Sequence, residues 1–301
     1  MKPATRDSYQ ARITRVLVHI QGHLDDALSL DALAAIACFS PYHFHRVFKA
    51  MVGESVKQHV RRLRLERAAY RLRLTDERIT EIAFAAGYET HESFTRAFRE
   101  TFGESPSGFR AHARPPNFPD SPNAVHYEAS QRLAAFQPIQ PQHSGGTHMT
   151  VQLATIDTIR VAFQRHTGPY DKAWPAWVRM LAWAERQGLS GNRRIGLSHD
   201  DPNVTDADKL RYDACVEIPA AFEPDQDVGV QAIAGGDYAI LRHKGPYERL
   251  HESYARLYGD WLPSSGREPR AAPPFELNLT MPTEVAPEDL ITDIYMPLAA
   301  R

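Results

Sequence analysis

Residues 79–110 read ITEIAFAAGYETHESFTRAFRETFGESPSGFR. Their apolar side chains recur at i, i+3, i+4 and i+7, the spacing of one buried helix face. The first apolar stripe consists of Ile79, Ile82, Ala83 and Ala86, and the second of Phe94, Ala97, Phe98 and Phe102. Gly87 separates the stripes, Thr90 is an N-cap residue, and Gly103 ends the second helix. The stretch predicts two short helices joined by a tight turn, as in a helix-turn-helix.

An earlier stretch repeats this pattern. Residues 28–55 read LSLDALAAIACFSPYHFHRVFKAMVGES, in which RVFKAMVGES at 46–55 matches RAFRETFGES at 96–105. Ser40-Pro41 gives an N-cap residue followed by a proline at the first helical position. An arginine-rich helix, about 56–74, connects the two copies. The N-terminal third is therefore predicted to be all-α, with two helix-turn-helix units.

A second pair of repeats organises the C-terminal half. RHTGPY occupies residues 165–170, and RHKGPY occupies residues 242–247. Each GPY turn leads into a predicted helix, and alternating apolar and polar residues predict antiparallel strands with one covered face. Strands are expected at 161–163, 212–218, 238–243, 275–281 and 290–297. These elements predict an α+β domain made of two similar halves, each a strand–helix–strand–strand unit around an antiparallel sheet.

Composition divides the chain between these halves. Residues 115–148 hold six of the 22 prolines and the Gly145-Gly146 pair, which is typical of a linker, and a short helix is allowed around 128–136. We expect a first domain at 8–113, a linker at 114–148 and a second domain at 149–299.

Charge and cysteine content narrow the function class. The net charge is +5 over residues 1–114 and −7 over residues 115–301, which suggests a polyanion as the partner of the first half. Cys38 and Cys215, the two cysteines, are expected to be reduced core residues in a cytoplasmic protein. There is neither a secretory signal nor an apolar run of about 18 residues, so no membrane partner is expected.

The second helix of each unit is the candidate DNA-reading element, because in a helix-turn-helix its early residues meet base edges in the major groove. Removing the apolar stripe leaves polar side chains that we expect to face outward. They are Tyr42, His43, His45, Arg46 and Lys49 on the first helix, and His91, Glu92, Ser93, Thr95, Arg96 and Arg99 on the second. Arginine pairs with guanine, and Lys49, Arg99 and part of the arginine-rich connecting helix are expected to neutralise phosphates of double-stranded DNA.

Residues 28–55 and 79–110 together resemble the DNA-binding domain of the AraC/XylS family of bacterial regulators. The resemblance covers about residues 10–113. It implies two helix-turn-helix units that enter adjacent major-groove segments of one site, and a regulator that more often activates transcription, with RNA polymerase as a further candidate partner.

The C-terminal half resembles the GyrI-like small-molecule-binding domain, through RHTGPY, GGDYAILRHKGPY, PFELNLT and the segment ending at Pro219. The resemblance implies a cleft between the two halves that binds lipophilic, often cationic, compounds by aromatic walls and a central glutamate, which falls on Glu276. A cation in such a cleft needs an opposite charge, and aromatic faces attract it. The candidate walls are Tyr170, Trp174, Trp177, Tyr212, Tyr247 and Tyr295.

The sequence gives little support for an enzyme. HExxH, CxxC, GxSxG and glycine-rich phosphate loops are all missing from the sequence, and the histidines form no metal-ligand pattern, so neither cofactor nor metal is expected. Ser198-His199-Asp200 is interpreted as a surface loop. Two alternatives to an effector cleft stay open: a C-terminal domain that docks a protein partner, and a hydrolase with Glu276 as general base.

Overall fold

The computed structural model describes residues 6–111, 118, 120–128, 136, 138, 150–202 and 205–300. These residues form two compact units. Among the described residues, those within 7–39 and 48–138 form the helical unit, and those within 40–47 and 150–300 form the sheet unit. Gly145-Gly146 and most of the short helix expected at 128–136 lie outside the described residues.

The N-terminal helices follow the predicted order. They are α1 (Arg6–Gly22), α2 (Leu30–Ile36), α3 (Pro41–Val52), α4 (Val56–Leu74), α5 (Ile79–Ala85), α6 (His91–Phe102) and α7 (Pro106–Ala111). Local capping fixes their starts: the Thr90 side chain accepts a hydrogen bond from the Ser93 amide, and Ser55 forms a capping box with Gln58. Gly103 ends α6 in the left-handed region. None of the described helices is long and apolar enough to cross a bilayer.

The two helix-turn-helix turns differ at one position. Gly87 follows α5 with φ of 82°, where glycine pays no steric penalty. The same place after α2 holds Cys38, whose φ is 54°. Cys38 is exposed, so the expectation that both cysteines lie in the core is wrong for this one, whereas Cys215 is buried. The turn geometry places the Cys38 side chain outside because the residues on either side, Ala37 and Phe39, fill the core.

The arginines of α4 are engaged within the helical unit. Arg62 binds both Glu54 and the fully buried Glu66, and Arg67 forms two hydrogen bonds with Asp25. Arg64 donates to the Leu24 carbonyl. These three arginines are engaged within the helical unit, and the expectation that part of the connecting helix neutralises phosphates stays a prediction. Unpaired, a buried acid such as Glu66 would be costly, which explains why Arg62 turns inward.

Part of the proline-rich stretch is packed on the helical unit. Glu66 also accepts hydrogen bonds from the His126 ring and the Tyr127 amide, and Arg62 donates to the Val125 carbonyl. Asn123 is buried and donates to the Val52 carbonyl. Residues 120–128 are thus a docked segment with a turn at 122–124, which the linker composition alone does not indicate.

The sheet unit carries an antiparallel sheet, eight-stranded over the described residues. Its strands are β1 (Val151–Ile156), β2 (Ile159–Thr167), β3 (Arg194–Ser198), β4 (Arg211–Glu217), β5 (Gly229–Ile233), β6 (Gly236–Lys244), β7 (Phe275–Asn278) and β8 (Ile291–Pro297). The spatial order is β1-β6-β8-β7-β3-β4-β2-β5. Exchanging β1–β4 with β5–β8 reverses this order, so the two halves are related by a pseudo-two-fold axis between β3 and β7.

The halves repeat their contacts as well as their sequence. Arg165 of β2 pairs with Asp213 of β4, and Arg242 of β6 pairs with Asp293 of β8. The prediction of a strand–helix–strand–strand unit missed one strand in each half, since edge strands β1 and β5 precede the GPY strands. His199 binds the buried Asp213, so residues 198–200 are part of a bonded network and not a plain surface loop.

A helix follows each GPY turn and covers the sheet. These helices are α8 (Trp174–Arg186) and α9 (Leu250–Arg256), the latter continuing into a π-helical turn at Leu257–Trp261 and a short end at Leu262–Ser264. Apolar residues of α8 pack with Ala214 and Val216 of β4 on one face. Val161, Ile195 and Phe275 pack on the opposite face. Both faces of the central strands are therefore covered, in contrast to the one covered face predicted from alternation.

Candidate nucleic-acid interface and ligand cleft

Helix α6 presents its polar edge to solvent. His91, Glu92, Arg96 and Arg99 are exposed, and Ser93 and Thr95 are half-buried. Ser93 is partly engaged in capping, because its hydroxyl donates to the Thr90 carbonyl. The apolar stripe that includes Phe94, Ala97 and Phe98 lies in the core. The outward orientation expected of the second polar edge is thus present, while its role in base reading stays a prediction.

Helix α3 behaves differently. Tyr42 is 44% exposed and Lys49 is exposed, but His43 and His45 are only 0% and 1% exposed. Arg46 is half-buried, and its guanidinium donates to the Tyr42 carbonyl. The expectation that the first polar edge faces outward is wrong for both histidines. The reason is a set of hydrogen-bond partners in the sheet unit, which gives these polar rings an alternative to water.

His43 lies between two of these partners. Its Nε2 is 2.6 Å from the Arg270 carbonyl oxygen, which can only accept, so Nε2 carries the proton. Nδ1 therefore accepts from the Tyr258 hydroxyl at 3.0 Å. The two rings also stack, with centroids 5.7 Å apart. Burial lowers the pKa of His43 to about 4, and the nearby charge of Arg46 acts in the same direction. The ring is neutral at pH 7.

His45 and Arg46 reach two further groups of the sheet unit. The Nδ1 of His45 is 2.9 Å from a carboxylate oxygen of Asp201. The Arg46 guanidinium carbon lies 5.8 Å from the ring centre of Tyr254 and 6.0 Å from that of Tyr258, within the range of cation–π attraction. His43, His45 and Arg46 of the α3 edge thus all contact groups of the C-terminal half.

A buried carboxylate marks the centre of the sheet. Glu276 of β7 is 8% exposed and lies opposite Gly196 of β3, next to the pseudo-two-fold axis. A Cβ atom on Gly196 would stand 3.1 Å from Glu276 Oε2 and 2.3 Å from the Tyr212 hydroxyl. The glycine therefore leaves the space in which this acid and this phenol approach each other. Trp177 of α8 donates its indole N–H to the Tyr212 hydroxyl at 3.1 Å.

Aromatic side chains from both halves surround Glu276. Tyr254 of α9 donates to Glu276 Oε1 at 2.7 Å. Tyr170 lies 5.8 Å from the Tyr212 ring centre. The Tyr247 hydroxyl is buried and has no hydrogen-bond partner among the described residues. We name this group the aromatic cleft, after the cleft that the family resemblance implies here; its members are Glu276, Tyr170, Trp177, Tyr212, Tyr247 and Tyr254.

Burial and nearby charges shift the pKa values of the acidic groups in the aromatic cleft. Burial raises the pKa of Glu276, and both the hydrogen bond from Tyr254 and the charge of Arg46 oppose that rise. Burial also raises the pKa of Tyr247 to about 12, and the Glu276 carboxylate contributes to it. A low-polarity site that holds one carboxylate among neutral phenols gains most from a bound positive charge.

One predicted cleft residue lies on the other face of the sheet, and the role of Trp174 stays a prediction. Tyr295 pairs with Phe275, one residue before Glu276, so it lies on the opposite face of the sheet, where it stacks on Phe275 with ring centres 4.5 Å apart. Trp174 is 37% exposed, whereas Trp177 is buried. Tyr295 was therefore wrongly included as a wall of the cleft, because sequence does not give the register of β7 against β8.

Sequence reasoning missed Tyr254, Tyr258 and Asp201. The first two follow Tyr247 by 7 and 11 residues, which is the spacing of one helix face, and this signal was present in the sequence. Tyr254 also corresponds to Trp177 across the internal repeat, since each stands seven residues after a GPY tyrosine. No comparable signal marks Asp201.

Comparison with known proteins agrees with this division of the chain. Residues 149–299 match the GyrI-like small molecule binding domain, and residues 33–112 match a helix-turn-helix domain. The right origin-binding protein of Escherichia coli (strain K12) is 40% identical over 262 residues, covering 84% of this chain and 86% of that protein. The transcriptional regulator Rob of Salmonella typhimurium is 40% identical over 260 residues, with the same coverage.

Among solved structures, an AraC-type transcriptional regulator from Chromobacterium violaceum is 28% identical, with a TM-score of 0.34, and the match covers 36% of this chain and 96% of that one. The extended matches to regulators and the two domain matches together establish the family. The chain belongs to the AraC/XylS family of DNA-binding transcription regulators and carries a C-terminal GyrI-like domain.

Proposed function

We propose that this regulator reads base edges with the polar edges of α3 and α6 and that a small lipophilic cation in the aromatic cleft controls it. The buried carboxylate of Glu276 among aromatic rings carries the effector half of this proposal. The exposed edge of α6, with Arg96 and Arg99 on one face, supports the DNA half.

The DNA half is tested by selecting bound duplexes from a random pool with the full chain. Arg96→Ala is expected to weaken binding to the selected duplex by about 1–3 kcal/mol, because arginine makes bidentate contacts with guanine. Arg186→Ala, an equally exposed arginine of α8, is the matched control and should leave affinity unchanged. Equal losses on selected and random duplexes would mean that Arg96 contacts phosphate only.

The effector half is tested by calorimetric titration with tetraphenylphosphonium, a rigid cation with four aromatic faces. Wild type is expected to bind it, and Glu276→Gln should reduce affinity at least tenfold, because the amide cannot compensate the positive charge. Glu248→Gln, an exposed acid, is the matched control. Equal affinity of wild type and Glu276→Gln would refute the role of the carboxylate.

We further propose that the regulator activates transcription through RNA polymerase, the more frequent mode in this family. Transcription in vitro from a template that carries the selected duplex upstream of a promoter should rise on addition of the protein and fall back in Arg96→Ala. A fall in transcription with the wild-type protein would mark a repressor.

A further inference from the structure

The polar edge of α3 lies next to the aromatic cleft within the sheet unit. Residues 40–47, which include the start of α3, cluster with the C-terminal residues, and His43, His45 and Arg46 all have partners there. A recognition helix ordinarily keeps such side chains for nucleic acid. Both ring nitrogens of the buried His43 are hydrogen-bonded, and the Nδ1 of His45 is bonded to Asp201. Such compensation of buried polar rings indicates a built contact, because an unpaired buried polar group is costly.

Arg46 links this contact to the aromatic cleft. Its guanidinium lies over the Tyr254 ring, and the hydroxyl of the same tyrosine donates to Glu276. Arg46 therefore brings a delocalised positive charge to the rim of a site whose acid has few other partners. A lipophilic cation would seek the same two features, an aromatic face and the field of the carboxylate.

We infer that Arg46 is an internal ligand of the aromatic cleft, so that occupation of the cleft by an effector cation and release of the α3 edge for DNA are one coupled event. This inference rests on the proposed function, because it assigns a regulatory occupant to the proposed effector site. In the protein without effector, the polar edge of α6 is therefore available to DNA, and the polar edge of α3 is not.

The coupling has a required symmetry. If the cation displaces Arg46 and thereby frees α3, the cation must raise affinity for DNA by the same factor by which DNA raises affinity for the cation. The helix also reduces the apparent affinity of the cleft for any cation, in proportion to the fraction of molecules in which Arg46 occupies it.

The first test measures tetraphenylphosphonium affinity in full-length variants without DNA. Arg46→Ala is expected to bind the cation at least fivefold more tightly than wild type, because the internal competitor is gone. Arg96→Ala removes the corresponding arginine of α6 and should match wild type.

The outcomes separate the inference from the proposed function. Binding by wild type with no gain in Arg46→Ala overturns the inference and leaves the effector site standing. Failure of both proteins to bind refutes the effector site itself and the inference with it. A gain in Arg96→Ala equal to that in Arg46→Ala also overturns the inference, because the effect would then be one of net charge.

A second pair of changes acts from the sheet side and leaves all DNA-reading residues intact. Asp201→Asn removes the negative charge that faces His45, and Tyr258→Phe removes one of the two hydrogen bonds of His43. This double variant is expected to bind the selected duplex at least fivefold more tightly than wild type in the absence of any cation, and to gain little on adding tetraphenylphosphonium. Asp208→Asn, an exposed acid nearby, serves as control. Unchanged DNA affinity in the double variant contradicts the inference even if Arg46→Ala fails to fold.

Discussion

The neutral state of His43 makes the α3 contact sensitive to acid. In the contact, burial lowers the pKa of the ring to about 4 from 6.5. The groups that face the ring are the Tyr258 hydroxyl, the backbone of Arg270 and Ala272 and, on its own helix, Arg46. Because the contact lowers the pKa of the ring, it favours the neutral form. Protonation of the ring as the pH falls therefore weakens the contact. The contact is therefore complete above pH 6.5 and weakens progressively towards pH 4.

The size of the effect follows from the two pKa values. At pH 5 the released ring is almost fully protonated and the docked ring is about nine-tenths neutral, which weakens docking by about 2 kcal/mol, roughly 30-fold. Nuclear magnetic resonance of the full chain with ¹³C-labelled histidine reads this directly. The ring signal that disappears in His43→Gln should titrate far below the same histidine in a free peptide of residues 37–52.

Addition of tetraphenylphosphonium gives an internal check on that titration. If the cation releases α3, the His43 signal should move towards the free-peptide midpoint. A midpoint near 6.5 in the cation-free protein would refute the reasoning, because it would mean that the ring is in water and that the contact with Tyr258 does not persist in solution.

Three further changes test other parts of the molecule. Gly196→Ala should lower the free energy of unfolding by about 1–3 kcal/mol and weaken cation binding, because its Cβ would collide with the Tyr212 hydroxyl; thermal melts and calorimetry measure both effects. Cys38→Gly should raise the free energy of unfolding by about 0.5–1 kcal/mol and Gly87→Ala should lower it by about 1–2 kcal/mol, since both positions have positive φ; equal effects of one sign in denaturant melts would contradict this. Asp213→Asn should cost about 2–4 kcal/mol in the same melts, because a fully buried carboxylate with three side-chain partners is removed; a loss below 0.5 kcal/mol would show that the network is dispensable.

Local signals predicted the helical part of the fold well. Apolar spacing placed α5 and α6, and the Thr90 cap and Gly103 stop fell where the pattern indicated. These features depend on neighbours within a few residues, so the sequence contains them directly. The left-handed turn at Cys38 was harder, because a cysteine gives no sign of positive φ.

Long-range partners limited prediction of the sites. The residues that bury His43 and His45 are 215 and 156 positions away in sequence, and nothing local distinguishes these histidines from the exposed His91. The same limit applies to Tyr295, whose face depends on pairing between β7 and β8. Glu276 was located through the family resemblance, since strand alternation alone favours a solvent-facing position.

The most direct test of the account is a hydroxyl-radical footprint of the full chain on its selected duplex, with and without saturating tetraphenylphosphonium. Without the cation, protection should be confined to the major-groove segment that α6 contacts. With the cation, protection should extend by about one helical turn, roughly 10 base pairs, as α3 enters the adjacent segment. The same two-segment footprint in both conditions would contradict the claim that the aromatic cleft withholds the first recognition helix.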